Sequence, residues 1–316
     1  MQFFSTILKL VLLLILAGCS VPGGHTDSAM NTTIPHMNTA PLPHYQVGTK
    51  FIYSNGTWEK VVETGPDWVK WVNQNKNIST GSPDITYKRT NWQTSRRQGS
   101  RTFNQVKYWL GTPASTLWPL AAGNVTTFDE SGIWYAEDGE EHRYNSFWRC
   151  KVEGTETVSV AAGDFETWKI TCARYPDNLR YPGSRAREYR TWNYAPVIGH
   201  WVLEIRDYNG FKSNRRKELI AVVPDLNAVT SDEDEIRQVR KQFQNVLEGR
   251  RKNMPYILAG AKSDLAVTIT PKKTFRRTGG AVCRQYVQNI TVEGSDHDYF
   301  GIACRGPGGG WRIPRL

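Results

Sequence analysis

Residues 50–62 read KFIYSNGTWEKVV, which is two runs of strand-forming residues joined by the dipeptide Asn55-Gly56. Asn-Gly favours the tight two-residue turn of a β-hairpin. The pattern recurs in WVKWVNQ (68–74), ETVSVAAGDFETWKITCARY (156–175) and HWVLEIRDYNGF (200–211), the last of which holds a second turn dipeptide, Asn209-Gly210. Because no long helical periodicity intervenes, we predict an all-β domain over residues 44–226, built as an antiparallel curved sheet or partial barrel.

Residues 227–316 show a different pattern, which begins with a helix. Apolar residues recur on one stripe of the segment that starts at SDEDE (231–235), and either Ser231 or Asp232 can cap its first turn. These apolar residues are Ile236, Val239, Phe243, Val246 and Leu247. Short strand patterns follow in LAVTIT, CRQYVQNITV, YFGIACR and GWRI. We therefore predict a small α+β domain, with one helix on an antiparallel sheet, after a boundary near Asn227.

The N-terminus has the pattern of a secretory signal. One basic residue, Lys9, precedes an apolar run over residues 10–17, which is shorter than the roughly 20 residues that span a bilayer. We predict a signal peptide over residues 1–18. The letters LAGC (16–19) resemble the lipobox of bacterial lipoproteins, which implies a palmitate-type lipid anchor on Cys19. In that family Ser20, in place of Asp, implies the outer membrane, on its periplasmic or cell-surface face. Residues 19–43, rich in Pro, Thr and Asn, are predicted to be a flexible tether.

Four further cysteines would then lie in an oxidising compartment, where disulfides persist. If Cys283 and Cys304 are directly opposite in a hairpin, the chain reverses at Glu293-Gly294. This register places Val287 opposite Phe300 and Gln285 opposite Ile302 on the cysteine face, which we expect to be the more apolar face. Arg284, Tyr286, Gln288 and His297 then occupy the other face.

A longer turn through GSDHD would shift that register by some residues. No short C-x-x-C spacing favours a metal site. Cys150 and Cys172 form the second predicted disulfide by elimination, and simple counting places them two strands apart.

Charge divides the chain. Residues 19–234 hold 24 basic and 24 acidic side chains, whereas residues 235–316 hold 15 basic and 6 acidic ones. The basic C-terminal part predicts an anionic partner, such as lipid A phosphates or anionic lipid, or another envelope protein. Nucleic acid is not expected in this compartment. The densest basic patch consists of Lys272, Lys273, Arg276 and Arg277.

Residues 232–313 resemble the C-terminal domain of the rickettsial 17-kDa surface antigen family of outer-membrane lipoproteins. The resemblance rests on the charged amphipathic helix, TPKKTF (270–275), CRQY (283–286), YFGIACR (299–305) and the closing Gly-Gly-Trp before RI. It implies an envelope surface antigen. In the β region, VSVAAGDFETWKI and TWNYAPVIGHWVLEI are similar to uncharacterised periplasmic curved-sheet proteins, which share a half-barrel form with lipoprotein carriers.

No catalytic motif is present in the sequence: there is no H-E-x-x-H, Walker loop, G-x-S-x-G or dinucleotide fingerprint. His142 in EDGEEHR and His297 in SDHD are interpreted as parts of solvated acidic turns. We therefore expect no enzyme activity, no cofactor and no metal.

Eleven of the twelve tryptophans lie between Trp58 and Trp201. Trp68 and Trp71 are three residues apart, so they would lie on opposite faces of a strand. They are candidate ligand-binding aromatics, as a sugar-stacking platform or the wall of an acyl pocket. The alternative is that the tryptophans simply fill the core.

Two functions remain. The first is a non-enzymatic outer-membrane lipoprotein of the surface antigen type, which binds an envelope component or a partner protein. The second is a periplasmic lipid or lipoprotein carrier, or an envelope assembly factor, with an apolar cavity in the β domain.

Overall fold

The computed structural model describes residues 38–87, 91–98, 101–108, 117–135, 140–176, 185–209, 214–249, 251–259, 265–292 and 294–314. The predicted signal peptide (1–18), Cys19 and most of the tether (19–43) lie outside these residues, as does Gly210 of the second predicted turn. All of the described residues belong to one compact unit. No helix within them combines the length and apolar character needed to cross a membrane.

The first part of the chain is a large antiparallel sheet. Each strand pairs with the next one in the sequence, and β12 pairs with β1 as well as with β11. The sheet therefore curves until its first and twelfth strands are neighbours, which confirms the predicted mainly β, curved antiparallel fold. The strands are β1 (Lys50–Tyr53), β2 (Trp58–Thr64), β3 (Val69–Asn73), β4 (Ile78–Gly81), β5 (Asn91–Gln98), β6 (Arg101–Tyr108), β7 (Val125–Tyr135), β8 (Glu141–Val160), β9 (Gly163–Pro176), β10 (Glu188–Ala195), β11 (His200–Tyr208) and β12 (Arg215–Val223).

The predicted hairpin forms around Asn55-Gly56, but its loop holds the three residues 54–56 instead of two. Tyr53 N donates to Thr57 O at 2.9 Å, and Gly56 adopts a φ of 77°. A positive φ at this position suits glycine, which has no Cβ to clash with the backbone. The turn therefore joins β1 and β2 as the sequence indicates.

The longest hairpin, β8 with β9, corrects the predicted spacing of the first cysteine pair. Cys150 lies directly opposite Cys172 on the neighbouring strand, not two strands away. β8 runs through Gly154 as one strand of 20 residues, Glu141–Val160. The pairing with β9 shifts by one residue at a β-bulge between Val152 and Gly154, where Gly154 has a φ of 135°. The bulge lets the strand continue through the glycine.

The second part begins with two helices, a short α1 (Leu226–Val229) and a long α2 (Glu233–Gly249). Asp232 caps α2, since its Oδ1 accepts hydrogen bonds from the Asp234 and Glu235 backbone N–H groups at 2.8 and 3.2 Å. Most of the predicted apolar stripe is buried: Ile236, Val239, Val246 and Leu247 are fully inside, and Phe243 is half-buried. Five strands follow: β13 (Tyr256–Ala259), β14 (Ala266–Arg276), β15 (Val282–Val292), β16 (Ser295–Arg305) and β17 (Trp311–Arg312).

The hairpin of β15 and β16 has the predicted register. Cys283 pairs with Cys304, and Val287 pairs with Phe300. Both faces of this hairpin are covered, so the cysteine face is not its only buried face, and its more apolar character stays a prediction. The cysteines pack with Ile220 and Ala221 of β12, and Tyr286 on the opposite face packs against Leu247 of α2.

The hairpin also meets the large sheet directly. Gly301 of β16 forms a bridge with Ala221 of β12. A Cβ at position 301 would lie 2.7 Å from the Ala221 Cβ and 2.8 Å from the Tyr286 hydroxyl. Only glycine allows so close an approach. The predicted domain boundary at residues 226 and 227 stays a prediction, and contacts cross it here.

Candidate functional site

Each of the two predicted cysteine pairs lies at disulfide distance and links neighbouring strands. The sulfur atoms lie 1.97 Å apart in Cys150–Cys172 and 2.00 Å apart in Cys283–Cys304. All four side chains are buried. Neither pair is accessible to a ligand, so both belong to the framework.

The two candidate aromatics, Trp68 and Trp71, have different surroundings. Trp71 is only 1% exposed and lies against Tyr45, with ring centroids 4.7 Å apart. Trp68 is half-buried and precedes β3 instead of lying on it. Its indole covers Gly65, where a Cβ would be 2.1 Å from the Trp68 Nε1. Trp71 thus fills the core, and a ligand-binding role for either residue stays a prediction.

The predicted basic patch lies at the end of β14. A register shift between Pro271 and Thr274 adds one residue to β14, so that Lys272 and Lys273 together lie opposite the single residue Gln285 of β15. Lys273 and Arg276 are exposed, whereas Lys272 and Arg277 are half-buried. The bulge therefore presents cations at a sheet edge, and their binding of an anionic partner stays a prediction.

The prediction that His142 and His297 belong to acidic turns is wrong, because His142 lies on β8 and His297 lies on β16. Both histidines have partners. His142 Nε2 lies 3.7 Å from a Glu140 carboxylate oxygen, and Gln46 Nε2 lies 2.7 Å from the His297 ring. Gln46 also accepts a 3.3 Å hydrogen bond from the Tyr299 hydroxyl. Within the part of the chain that the structure describes, no group of three or more His, Cys, Asp or Glu side chains has metal-binding geometry.

Buried His200, which the sequence analysis did not single out, forms hydrogen bonds with two buried tyrosines of the core. The Tyr45 hydroxyl lies 2.8 Å from His200 Nδ1, and the Tyr53 hydroxyl lies 2.9 Å from His200 Nε2. Tyr53 also donates to Glu59 at 3.2 Å. Burial raises the pKa of both tyrosines well above the usual value, so their hydroxyls stay protonated and hold this chain of hydrogen bonds in place.

Beside this core lies a cleft of about 600 Å³, which we call the charged cleft. It forms where the β1–β2 turn, the end of β3 and the first residues of β12 meet β11. This meeting depends on β1 pairing with both β2 and β12. The lining residues are Asn55, Thr57, Trp58, Glu59, Asn73, Gln74, Glu204, Arg206, Asn214, Arg215, Arg216 and Lys217.

Ion pairs form the deep side of the charged cleft. Arg206 donates two hydrogen bonds to buried Glu204, the shorter of them 2.7 Å long. Lys217 Nζ lies 4.0 Å from Glu59 and 3.8 Å from the Tyr53 ring centroid. Burial raises the pKa of Glu204, but attraction to Arg206 and its basic neighbours outweighs burial and holds that pKa below its usual value. Glu204 is therefore a fixed negative charge at neutral pH.

Three arginines lie directly opposite one another on three neighbouring strands. Arg190 of β10 pairs with Arg206 of β11, which pairs with Arg215 of β12. We call this set the arginine row. At its inner end, the Arg190 guanidinium is 2.7 Å from buried Glu188 and 4.9 Å from the Trp148 ring centroid. At its outer end, Arg215 is exposed on the rim of the charged cleft.

One sequence pattern, not used in the sequence analysis, indicates the arginine row. Glu-x-Arg occurs at Glu188–Arg190 and again at Glu204–Arg206. In a strand, residues two apart share a face. Two such pairs in neighbouring strands therefore indicate a charged row. The strand register that aligns the row could not be read from the motif alone.

Comparison with known proteins gives one partial similarity. Over 45 residues the chain is 40% identical to the 17 kDa surface antigen of Rickettsia prowazekii, a match that covers 14% of this chain and 28% of that protein. The corresponding antigen of Rickettsia bellii is 39% identical over 46 residues, or 15% and 29% of the two chains. The chain thus spans less than a third of the length of the curated relatives it matches. No protein-family model matches the chain.

Among solved structures, the hypothetical lipoprotein YmcC from Escherichia coli (K12) superposes with a TM-score of 0.34 and 10% identity, over 54% of this chain and 82% of that one.

Proposed function

We propose that this chain is a non-enzymatic outer-membrane lipoprotein, anchored through Cys19, that binds a component of the cell envelope. The observation that carries the proposal is the 40% identity to a rickettsial surface antigen. The LAGC sequence ending at Cys19 supports the lipid anchor. The charged cleft supports the binding role, because it offers polar and charged groups at the surface of a rigid sheet.

The electrostatics of the buried carboxylates also favour binding over catalysis. A general acid or base works best with a pKa near the operating pH. Burial raises the pKa of Glu188 and of Glu204, but arginine neighbours outweigh burial and hold both below the usual value. Each carboxylate therefore stays ionised and paired, as expected of a structural or binding group.

The packing of the tryptophans bears on the alternative, a lipid carrier with a tryptophan-lined apolar cavity. Trp71, Trp148 and Trp168 are each no more than 2% exposed. Trp148 stacks on Phe128, with ring centroids 6.1 Å apart. These rings occupy the core, which favours the first function. Native mass spectrometry of the purified protein discriminates between the two, since a carrier would retain bound lipid.

The basic patch supplies the second part of the proposal. Lys272, Lys273, Arg276 and Arg277 would contact lipid A phosphates, anionic lipid or an acidic surface of another envelope protein. Each cation near an anionic surface contributes about 1 kcal/mol, and the bulge in β14 holds two of them side by side.

Metabolic labelling with a palmitate analogue tests the anchor. We expect the wild-type chain and a Ser20→Ala control to be labelled and to sediment with the outer membrane. Cys19→Ser should lose both the label and the membrane association. A labelled Cys19→Ser variant, or a wild-type chain in the soluble fraction, would overturn the proposal.

A further inference from the structure

We infer that the charged cleft binds the anionic group of a saccharide, held by Arg206 and Arg215 of the arginine row. This inference rests on the proposed function and deepens it, because it names the chemical class of the envelope component. The site was not among the residues singled out by the sequence analysis.

The arrangement of like charges in the arginine row favours an anion at its outer end. Like charges directly opposite on neighbouring strands repel each other, and here three arginines lie opposite one another in succession. Glu188 compensates Arg190, and Glu204 compensates Arg206, each at 2.7 Å. Arg215 makes no ion pair within the described part of the chain. An anion at the outer end of the row would therefore relieve a repulsion that the protein leaves uncompensated.

The lining of the charged cleft carries more positive than negative side chains. Four basic side chains line the charged cleft, and two carboxylates lie among them. Both carboxylates are engaged: Glu204 accepts from Arg206, and Glu59 accepts from Tyr53. Arg216 is paired with Glu218 at 2.6 Å, and Lys217 lies 4.0 Å from Glu59. The positive charge in excess is therefore that of Arg215, and it favours an anionic ligand. Guanidinium groups suit phosphate and carboxylate because two parallel N–H groups can donate to two oxygens.

The uncharged residues of the lining match a sugar better than a bare ion. Asn55, Asn73, Gln74 and Asn214 supply amide groups, and Thr57 supplies a hydroxyl. The side-chain oxygens of Asn55, Asn73 and Gln74 accept hydrogen bonds from backbone N–H groups. Their NH2 groups can donate to the hydroxyls of a saccharide. Trp58 adds an aromatic surface on the same wall.

The shape of the site agrees with this ligand class. A volume of about 600 Å³ falls within the range of about 300–1,000 Å³ typical of small-molecule sites. The deep side is rigid, since Ser54 N donates to Glu218 O at 2.8 Å and Glu218 N donates to the Ser54 hydroxyl at 3.0 Å. These bonds fix the β1–β2 turn against β12. A sugar phosphate and the headgroup of a glycolipid share the required chemistry.

Isothermal titration calorimetry of the full chain in detergent tests the inference. The probes are glucose 6-phosphate, glucuronate, glucose and inorganic phosphate. We expect the two sugar anions to bind at least tenfold more tightly than glucose. Arg215→Gln should weaken their binding by roughly tenfold, the loss expected for one hydrogen bond to a charged group. Lys241→Gln on the exposed face of α2 removes the same charge elsewhere and should change nothing.

Equal affinities for glucose and glucose 6-phosphate would overturn the inference, as would an Arg215→Gln variant with unchanged binding. Inorganic phosphate that binds as tightly as glucose 6-phosphate would refute the saccharide. Competition by lipopolysaccharide would support a glycolipid headgroup as the source. Retained glucose 6-phosphate binding without such competition would support a soluble sugar.

These outcomes are separate from the test of the anchor. A protein that binds sugar anions but does not sediment with the outer membrane would refute the proposed location and not the proposed binding site. A membrane-anchored protein that does not bind sugar anions would refute only the inferred saccharide site.

Discussion

Removal of each disulfide gives the sharpest test of how the fold is stabilised. The two bridges close loops of nearly equal length, with sequence separations of 22 for Cys150–Cys172 and 21 for Cys283–Cys304. Loop closure restricts the unfolded chain, and for loops of this length the chain-entropy account gives about 3.3 kcal/mol for each bond at 25 °C. We therefore expect the Cys150→Ala/Cys172→Ala and Cys283→Ala/Cys304→Ala variants to lose the same stability.

Urea unfolding followed by tryptophan fluorescence measures this loss, because buried Trp148 and Trp168 lie on the two strands of the β8–β9 hairpin. The wild-type protein with both bonds reduced is a control that keeps every side chain. All four cysteines are buried, so the cavity left by each alanine pair is comparable and cancels between the two variants.

The reasoning fails if either variant loses less than about 1 kcal/mol, well below the usual range for a native disulfide. It also fails if one variant loses several times more than the other. Such a difference would mean that local packing, and not the restriction of the unfolded chain, sets the contribution of each bond.

Three further predictions follow from particular contacts. Gly301→Ala should lower the free energy of unfolding by about 1–3 kcal/mol through overpacking. Gly249→Ala is the control and should lose none, since a Cβ there meets nothing within 4 Å. Thermal unfolding of both variants checks this, and equal melting temperatures would contradict it. Glu204→Gln should lose roughly 3 kcal/mol at pH 7, because it leaves Arg206 uncompensated. Since the pKa of Glu204 is lowered on folding, its stabilisation is fully present above the usual carboxyl pKa of about 4.5 and is lost as the pH falls from there through the lowered pKa. A deficit that does not shrink as the pH is lowered below about 4.5 would refute this. Replacing all four residues of the basic patch, Lys272, Lys273, Arg276 and Arg277, by glutamine should weaken the free energy of binding to anionic vesicles by roughly 4 kcal/mol in total, as measured by co-sedimentation. Glucose 6-phosphate binding should stay unchanged. Loss of both kinds of binding would show that the patch and the charged cleft are one site.

Local features of the chain were predictable from its sequence. The register of β15 with β16 follows from one tight turn between two strands, so cysteines 21 residues apart fix it. The α2 helix is likewise local, since its apolar stripe and its acidic first turn lie within 17 residues. Where a single interruption changed the geometry, prediction failed: Gly154 marks a bulge inside one strand, and no residue pattern distinguishes that from a turn.

The candidate site could not be predicted in the same way. Tyr45 and His200 are 155 residues apart in the chain and 2.8 Å apart in space, and nothing near either residue indicates its partner. The faces of the β15–β16 hairpin were judged from their own residues, but burial was decided by β12 on one side and α2 on the other.

The sequence by itself thus determined the strands, the long helix, the cysteine hairpin and the basic character of the C-terminal part, because each depends on neighbours along the chain. Only the tertiary structure decided that Arg190, Arg206 and Arg215 form one row. Their alignment depends on the register of three strands, and a shift of one residue would turn every side chain of a strand to the opposite face.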